Sequence, residues 1–289
     1  HSRYICGNEK YWMIFKKITF LIFLFLIVTN TSKSDFKEIK KKAIITKPEI
    51  IFPIREKLDK CINNMYVNQI TNPVLPVIKV EAPSGYGLDN RFMYALNKFE
   101  NFKRPCGGGD IEACENVKRV ILDWAKADAA KRTGPSNHEG RHWNDTLTVN
   151  LWVASPMMAA YSFAKQIIKV PDNEDKLIKD WFERIVKKNK HLMYGMNYKQ
   201  GTQAIGVPKR AHNHALSSAI AHMELGILLN DNIQFRKAFK NYEAAIKHQR
   251  GDGSLPIETR RGGRAMFYQG RAMNALSVIA IIAENQGYN

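Results

Sequence analysis

Arg250 to Gly270 reads RGDGSLPIETRRGGRAMFYQG. Asp252-Gly253 and Gly262-Gly263 are turn signals, with an apolar Leu255-Pro256-Ile257 between them. From Arg264 onward the pattern predicts a helix, with Ala265, Met266, Met273, Ala275 and Leu276 as its apolar members. The glycine pair sets Arg261 just ahead of that helix start, beside unpaired backbone N–H groups and the positive end of the helix dipole. Tyr268, four residues after Arg264, falls on the same helix face one turn along. Two guanidiniums, a helix start and a phenol that converge in this way suit an anionic substrate. A neighbouring guanidinium favours the phenolate, so the ordinary phenol pKa of about 10 is expected to fall. The plainer reading is a basic helix start beside a core tyrosine, and spacing alone does not separate the two.

A second polar cluster lies upstream. Residues 208–222, PKRAHNHALSSAIAH, run from a loop marked by Gly201, Gly206 and Pro208 into a helix that continues through Met223, Leu225, Ile227 and Leu228. Asn213 and His214 stand in the first turn, followed by the small residues Ala215, Ser217, Ser218, Ala219 and Ala221. The expected arrangement is a polar head facing a cleft, on a helix body that packs closely. A lone histidine there also reads as a cap or a satisfied core residue.

Taken together the two motifs resemble the alginate lyases of polysaccharide lyase family 5. The resemblance is carried by Asn213-His214 at a helix start and by DG-x-LP-x-E-x-x-R-x-x-RA-x-x-Y, present here from Asp252 to Tyr268. It extends weakly back to about Cys114, through LDWAKADA (122–129) and the segment near Trp143. Three positions depart from the family pattern. His212 stands where a second Asn is usual, no aromatic closely follows His214, and Gln269 replaces a common histidine after the tyrosine. The resemblance implies cleavage of a 4-linked polyuronate, mannuronate-rich alginate foremost; no cofactor is expected, and no metal is needed if an amide, an imidazole and a guanidinium neutralise the carboxylate.

The chemistry of that cleavage sets its own demands. β-Elimination removes the C5 proton, α to a carboxylate and very weakly acidic, so the carboxylate must first be neutralised. Asn213, His214 and Arg261 are the right types for that: an amide donor, an imidazole donor and a permanent cation. In β-D-mannuronate the C5 proton and the leaving O4 are syn, so one group on one face can serve both as base and as acid. Tyr268 is the candidate, and His214 competes with it as base. Arg264 and Arg210 are expected to bind substrate. Glucuronan is the near alternative substrate, since glucuronate shares the C4 and C5 stereochemistry. A non-catalytic binder of acidic polysaccharide would keep the basic cleft without needing Tyr268.

Charge agrees without deciding. A formal net charge of +17 suits a polyanion. The runs Lys37–Lys42 and Lys187-Lys188-Lys190 read as solvated faces, and no nucleic-acid-binding signature is visible. Met13 to Lys17 followed by apolar Ile18 to Val28 reads as a secretory signal over residues 13–34, its apolar core shorter than the roughly twenty residues of a membrane span. Residues 1–12 then precede the natural initiator. Export to the periplasm or medium of a bacterium is expected, with no stable membrane association after signal cleavage and a monomeric protein. Beyond Cys6, three cysteines remain: Cys61, Cys106 and Cys114. One structural disulfide involving Cys114 is expected, to Cys106 across Gly107-Gly108-Gly109 or to Cys61, rather than a metal site, since no CxxC is present.

Almost the whole remaining pattern is helical. Helices are expected over about 54–68, 89–100, 112–131, 144–169, 174–190, 212–230, 232–249 and 264–285. Val117, Val120, Ile121, Trp124 and Ala125 keep the spacing of one helix face, as do Ile178, Trp181, Phe182, Ile185 and Val186. Pro171-Asp172-Asn173 and Asn230-Asp231 are breaks. Alternation is suggested only near Val74–Val80. Long helices joined by short turns suit an all-α domain over residues 35–289, antiparallel hairpins arranged as an α/α toroid or incomplete α/α barrel. The family normally continues beyond this point, so a truncated C-terminus is expected.

His138-Glu139-Gly140-Arg141-His142 matches HExxH, the zinc-hydrolase pattern. Gly140 within it, Thr133-Gly134-Pro135-Ser136 before it and a single apolar neighbour, Trp143, argue against a packed ligand-bearing helix. In the lyase reading Arg141, His142 and Trp143 are instead substrate-subsite candidates.

Overall fold

The computed structural model describes residues 44–54, 79–80, 90–130, 132–133, 153–188 and 207–288. Two strands of two residues each, β1 (Lys79–Val80) and β2 (Arg132–Thr133), pair in parallel. The remaining elements are helical: α1 (Asn90–Gly107), α2 (Ile111–Lys126), α3 (Ser155–Ile167), α4 (Asp172–Lys187), α5 (Asn213–Leu229), α6 (Asn232–Lys247), the one-turn α7 (Pro256–Thr259) and α8 (Ala265–Asn285). Short 3-10 turns at Lys209–Ala211 and Gly262–Arg264 lead into α5 and α8.

Successive helices pack as hairpins, α1 on α2 and α5 on α6, and α5 is the hub, touching α3, α4, α6 and α8. It buries 15 of its 17 residues, so it has no solvent face and must be the central helix. Its small residues make this feasible. A Cβ on Gly226 would lie 2.9 Å from the Phe235 backbone nitrogen and 3.2 Å from the Asp231 carbonyl oxygen, so α6 starts hard against the end of α5. The turn between them is set by Asn230, left-handed at φ 52°, and by Asp231, whose Oδ1 accepts from the N–H groups of Ile233 and Gln234, both at 2.9 Å.

The two amphipathic faces expected on α2 and α4 are buried in full, and Trp124 and Trp181 meet edge to face at 6.5 Å. Trp181 donates Nε1–H to the Ala129 carbonyl, 2.8 Å, in the turn that ends α2. That turn comes five residues before the expected helix end at 131, because Asp128 and Ala130 take left-handed conformations. At the other end of the hairpin α1 runs seven residues past its expected end at 100. Phe102 and Cys106 are buried in the core, and their burial holds the helix through Pro105, which has no N–H to give to the carbonyl four residues back. A disulfide joins Cys106 to Cys114 and closes the α1–α2 turn, as one of the two expected pairings has it. Cys61, and the expected helix beyond Ile54, lie outside the described residues.

The segment 44–54 ties the first part of the chain to the last. Gln286 Oε1 accepts from the Thr46 and Lys47 N–H groups at 3.1 and 2.9 Å, and Asn285 donates to the Ile51 carbonyl at 3.1 Å.

Candidate active site

The site forms where the start of α5 meets the loop that carries α7 and the start of α8. The chain enters α5 through His212, a buried N-cap whose Nδ1 accepts from the His214 backbone N–H at 3.1 Å. Since that N–H can only donate, Nδ1 carries a lone pair. Burial, then the neighbouring His214 and Arg261, hold His212 well below the ordinary imidazole range. The ring of His214 meets that of His212 edge to face at 5.5 Å. His214 is itself held down to about 4 by burial first, then by the cations Arg261 and Arg271. Both imidazoles are therefore neutral at pH 7, fit to exchange a hydrogen bond or a proton without adding charge.

Asn213 between them is 1% exposed. Its amide lies close enough to His212 to oppose the fall of that pKa, yet among the described residues neither its oxygen nor its nitrogen completes a hydrogen bond. A buried amide with two idle groups is costly unless something else binds there.

The downstream motif is assembled by its turns. Asp252 Oδ1 accepts from Ser254 N–H at 2.9 Å, Gly253 sits at φ 82°, and Leu255 and Ile257 plug the loop into the core. Gln269, at the position where a histidine was expected from the resemblance, fastens the loop to α8. Its Oε1 accepts from Leu255 N–H at 3.0 Å and its Nε2 donates to the Gly253 carbonyl at 3.4 Å.

Glu258 then joins the two motifs. Fully buried, it accepts from the Asn213 backbone N–H at 2.7 Å through Oε1 and pairs with Arg261 at 3.5 Å through Oε2. Burial pushes its carboxyl up, while the Asn213 N–H and Arg261 pull it back. The Arg261 guanidinium lies over the Tyr268 ring, 3.5 Å from its centroid, and Tyr268 is 4% exposed. Asn213, His214, Arg261 and Tyr268 thus share one spot.

Arg264 does not lie where helical spacing puts it. The 3-10 turn Gly262–Arg264, with Gly262 at φ 57°, precedes the helix, so Arg261 and not Arg264 meets the tyrosine, and Arg264 is exposed. Arg210 stands on the 3-10 turn ahead of α5, facing α6. Arg141, His142, Trp143 and the HExxH segment lie outside the described residues. Among the described residues, the sequence reading gave no site role to Glu258, although it falls in the quoted motif, or to Arg271. Arg271 could have been found as the cation three residues after Tyr268, on the same helix face.

Residues 48–289 match the sequence profile described as alginate lyase. The chain belongs to the alginate lyase family. An alginate lyase of Pseudomonas syringae pv. syringae is 25% identical over 183 residues, 62% of this chain and 44% of that protein. One from Cobetia marina is 26% identical over 183 residues, again 62% and 44%. The match thus spans less than half the length of these curated relatives. Among solved structures, alginate lyase A1-III from Sphingomonas species A1 superimposes with a TM-score of 0.63 at 18% identity, covering 86% of this chain and 74% of that one. A tyrosine-to-phenylalanine variant of A1-III, complexed with a tetrasaccharide, gives the same TM-score. The shared fold is the α/α toroid of antiparallel helical hairpins that the helix pattern led one to expect for this alginate lyase family member.

Proposed function

We propose that the chain is a polysaccharide lyase that cleaves a 4-linked polyuronate, mannuronate-rich alginate foremost, by syn β-elimination without a metal. One observation carries this: Glu258 fastens the Asn213–His214 helix start to Arg261, which lies on Tyr268. The polyuronate carboxylate is received by the idle amide of Asn213, by neutral His214 and by Arg261. Charge developing on that carboxylate as C5 loses its proton is then met by donors already in place. Tyr268, acting as phenolate with the Arg261 guanidinium against its ring, takes the C5 proton. The electron pair of the C5–H bond becomes the C4–C5 double bond, the C4–O4 bond breaks, and the phenol returns the proton to O4. The products are a new chain end and a 4,5-unsaturated uronate. With Met13 to Ser34 as export signal, the enzyme acts outside the cytoplasm, as a monomer.

The test is to incubate the protein with polymannuronate, polyguluronate, glucuronan and hyaluronan, with and without EDTA, and follow the ultraviolet absorbance of the unsaturated product. A rise with polymannuronate that EDTA leaves intact is expected. A rise with glucuronan alone reassigns the substrate, and no rise with any polymer from a folded sample removes the reading.

A further inference from the structure

A second feature lies outside the catalytic cluster. A groove of about 900 Å³ follows the exposed side of α6 and is closed at one edge by Pro208 and Arg210 of the 3-10 turn that leads into α5. None of Asn213, His214, Arg261 or Tyr268 lines it. Its charged lining is Arg210, Arg236, Lys237, Lys240 and Lys247 against a single carboxylate, Glu243. None of the five cations forms an ion pair among the described residues.

Their spacing has a chemical meaning. Arg236, Lys240 and Lys247 stand at i, i+4 and i+11, which is one helix face, and they span about 16 Å along the axis. They offer about one cation per turn of about 5.4 Å, interrupted only where Glu243 faces the groove. A 1→4-linked uronate chain carries one carboxylate per sugar, and a sugar is about as long as a helical turn. The groove also has apolar surface for the C–H faces of the rings: Phe239 on its floor, and Ile233, 58% exposed. Such a surface discriminates against a flexible polyanion that offers charge alone.

We infer that this groove is an accessory binding site for a run of uronate residues, separate from the cluster that cleaves them. Arg210 sets its direction. It stands two residues ahead of the N-cap His212, so a chain lying along α6 reaches the start of α5, where Asn213 and His214 wait. The inference rests on the polyuronate-lyase reading for the identity of its ligand. Its effect falls on long chains: they are held at two places, whereas an oligomer too short to leave the cleavage site is held at one.

The test replaces Lys237, Lys240 and Lys247 together by Gln, three exposed side chains whose loss leaves the core untouched. Binding to polymannuronate is measured by calorimetry in the Tyr268→Phe background, so that cleavage does not intervene, with a mannuronate trimer and poly-L-glutamate as comparisons. Turnover of the trimer is measured with Tyr268 present. The expected result is about a tenfold loss of affinity for the polymer, as three exposed ion pairs allow, with a shallower dependence on salt. Trimer binding and trimer turnover stay unchanged. Unchanged polymer affinity overturns the site. An equal loss for poly-L-glutamate also overturns it, by showing a general positive surface. Should no polyuronate be cleaved by the unmodified chain, the lyase reading fails, while groove-dependent polymer binding still decides the accessory site by itself.

Discussion

Glu258 is the residue through which the site holds together. Its two oxygens serve different motifs, one the backbone of Asn213 and the other the guanidinium of Arg261, both inside the protein. Replacing it by Gln keeps an acceptor for the Asn213 N–H and removes the charge that fixes Arg261. Glu258→Gln is therefore expected to fold, to bind oligomer with little change in KM, and to lose about ten- to a hundredfold in kcat, as a misplaced neighbour of the reacting group does. Glu258→Ala also removes the acceptor of the Asn213 N–H and takes a buried carboxylate from Arg261, and a loss of about 3 kcal/mol in urea denaturation is expected. Equal kcat in Glu258→Gln and the unmodified protein would show that Arg261 needs no such anchor. Asn213, His214, Arg261 and Tyr268 were legible from the sequence because each is a chemically distinctive residue at a helix start or one turn in. The bridging role of Glu258 was not, because it depends on bringing together residues 45 positions apart. Arg264 was misplaced for a local reason: helical spacing does not hold through a 3-10 turn entered by a left-handed glycine.

The elements themselves were mostly written in the periodicity. The buried faces of α2 and α4, the Asn230-Asp231 break and the turns at Asp252-Gly253 and Gly262 needed no tertiary information. What escaped was where tertiary contacts override local preference. The core burial of Phe102 and Cys106 carries α1 through Pro105, and left-handed Asp128 and Ala130 stop α2 early. The closeness of α5 and α6 was legible only as a run of small residues, without its partner. It makes Gly226 the most demanding position of the hairpin. Although Ala is the better helix former, Gly226→Ala drives a methyl group into the Phe235 backbone. A net destabilisation of about 2 kcal/mol is expected from the midpoint of chemical denaturation. A midpoint that stays or rises would mean that the two helices pack less tightly than a 2.9 Å approach requires.

At the scale of the whole molecule, α5 carries the candidate site's polar head and a core body on one element, so the site's neutrality and the protein's stability respond to the same acid. His222, buried in mid-helix beside Gln234, is held to about 4 by burial first and then by Lys187. Its folded pKa lies below the ordinary 6.5, so between those values the unfolded chain takes up a proton that the folded one refuses. Its contribution to stability is thus complete above pH 6.5, falls as the pH drops towards 4, and changes no further below that. The loss through this group alone is on the order of 3 kcal/mol. His222→Gln should accordingly show a flatter decline of unfolding free energy between pH 6.5 and 4 than the unmodified protein, and parallel curves would contradict the assignment. The toroid was legible as a succession of helices joined by short turns, whereas the choice of α5 as the hub was carried only by its lack of a polar face.

The chemistry rests most heavily on the phenol oxygen of Tyr268, and Tyr268→Phe removes that atom while leaving the ring beneath Arg261. The measurement is turnover and calorimetric binding of this variant on the polymer that the unmodified protein cleaves. Turnover is expected to fall by at least about a hundredfold, with oligomer affinity within about twofold of the original. Turnover that survives the substitution would contradict the assignment of base and acid to Tyr268 and pass the proton to His214.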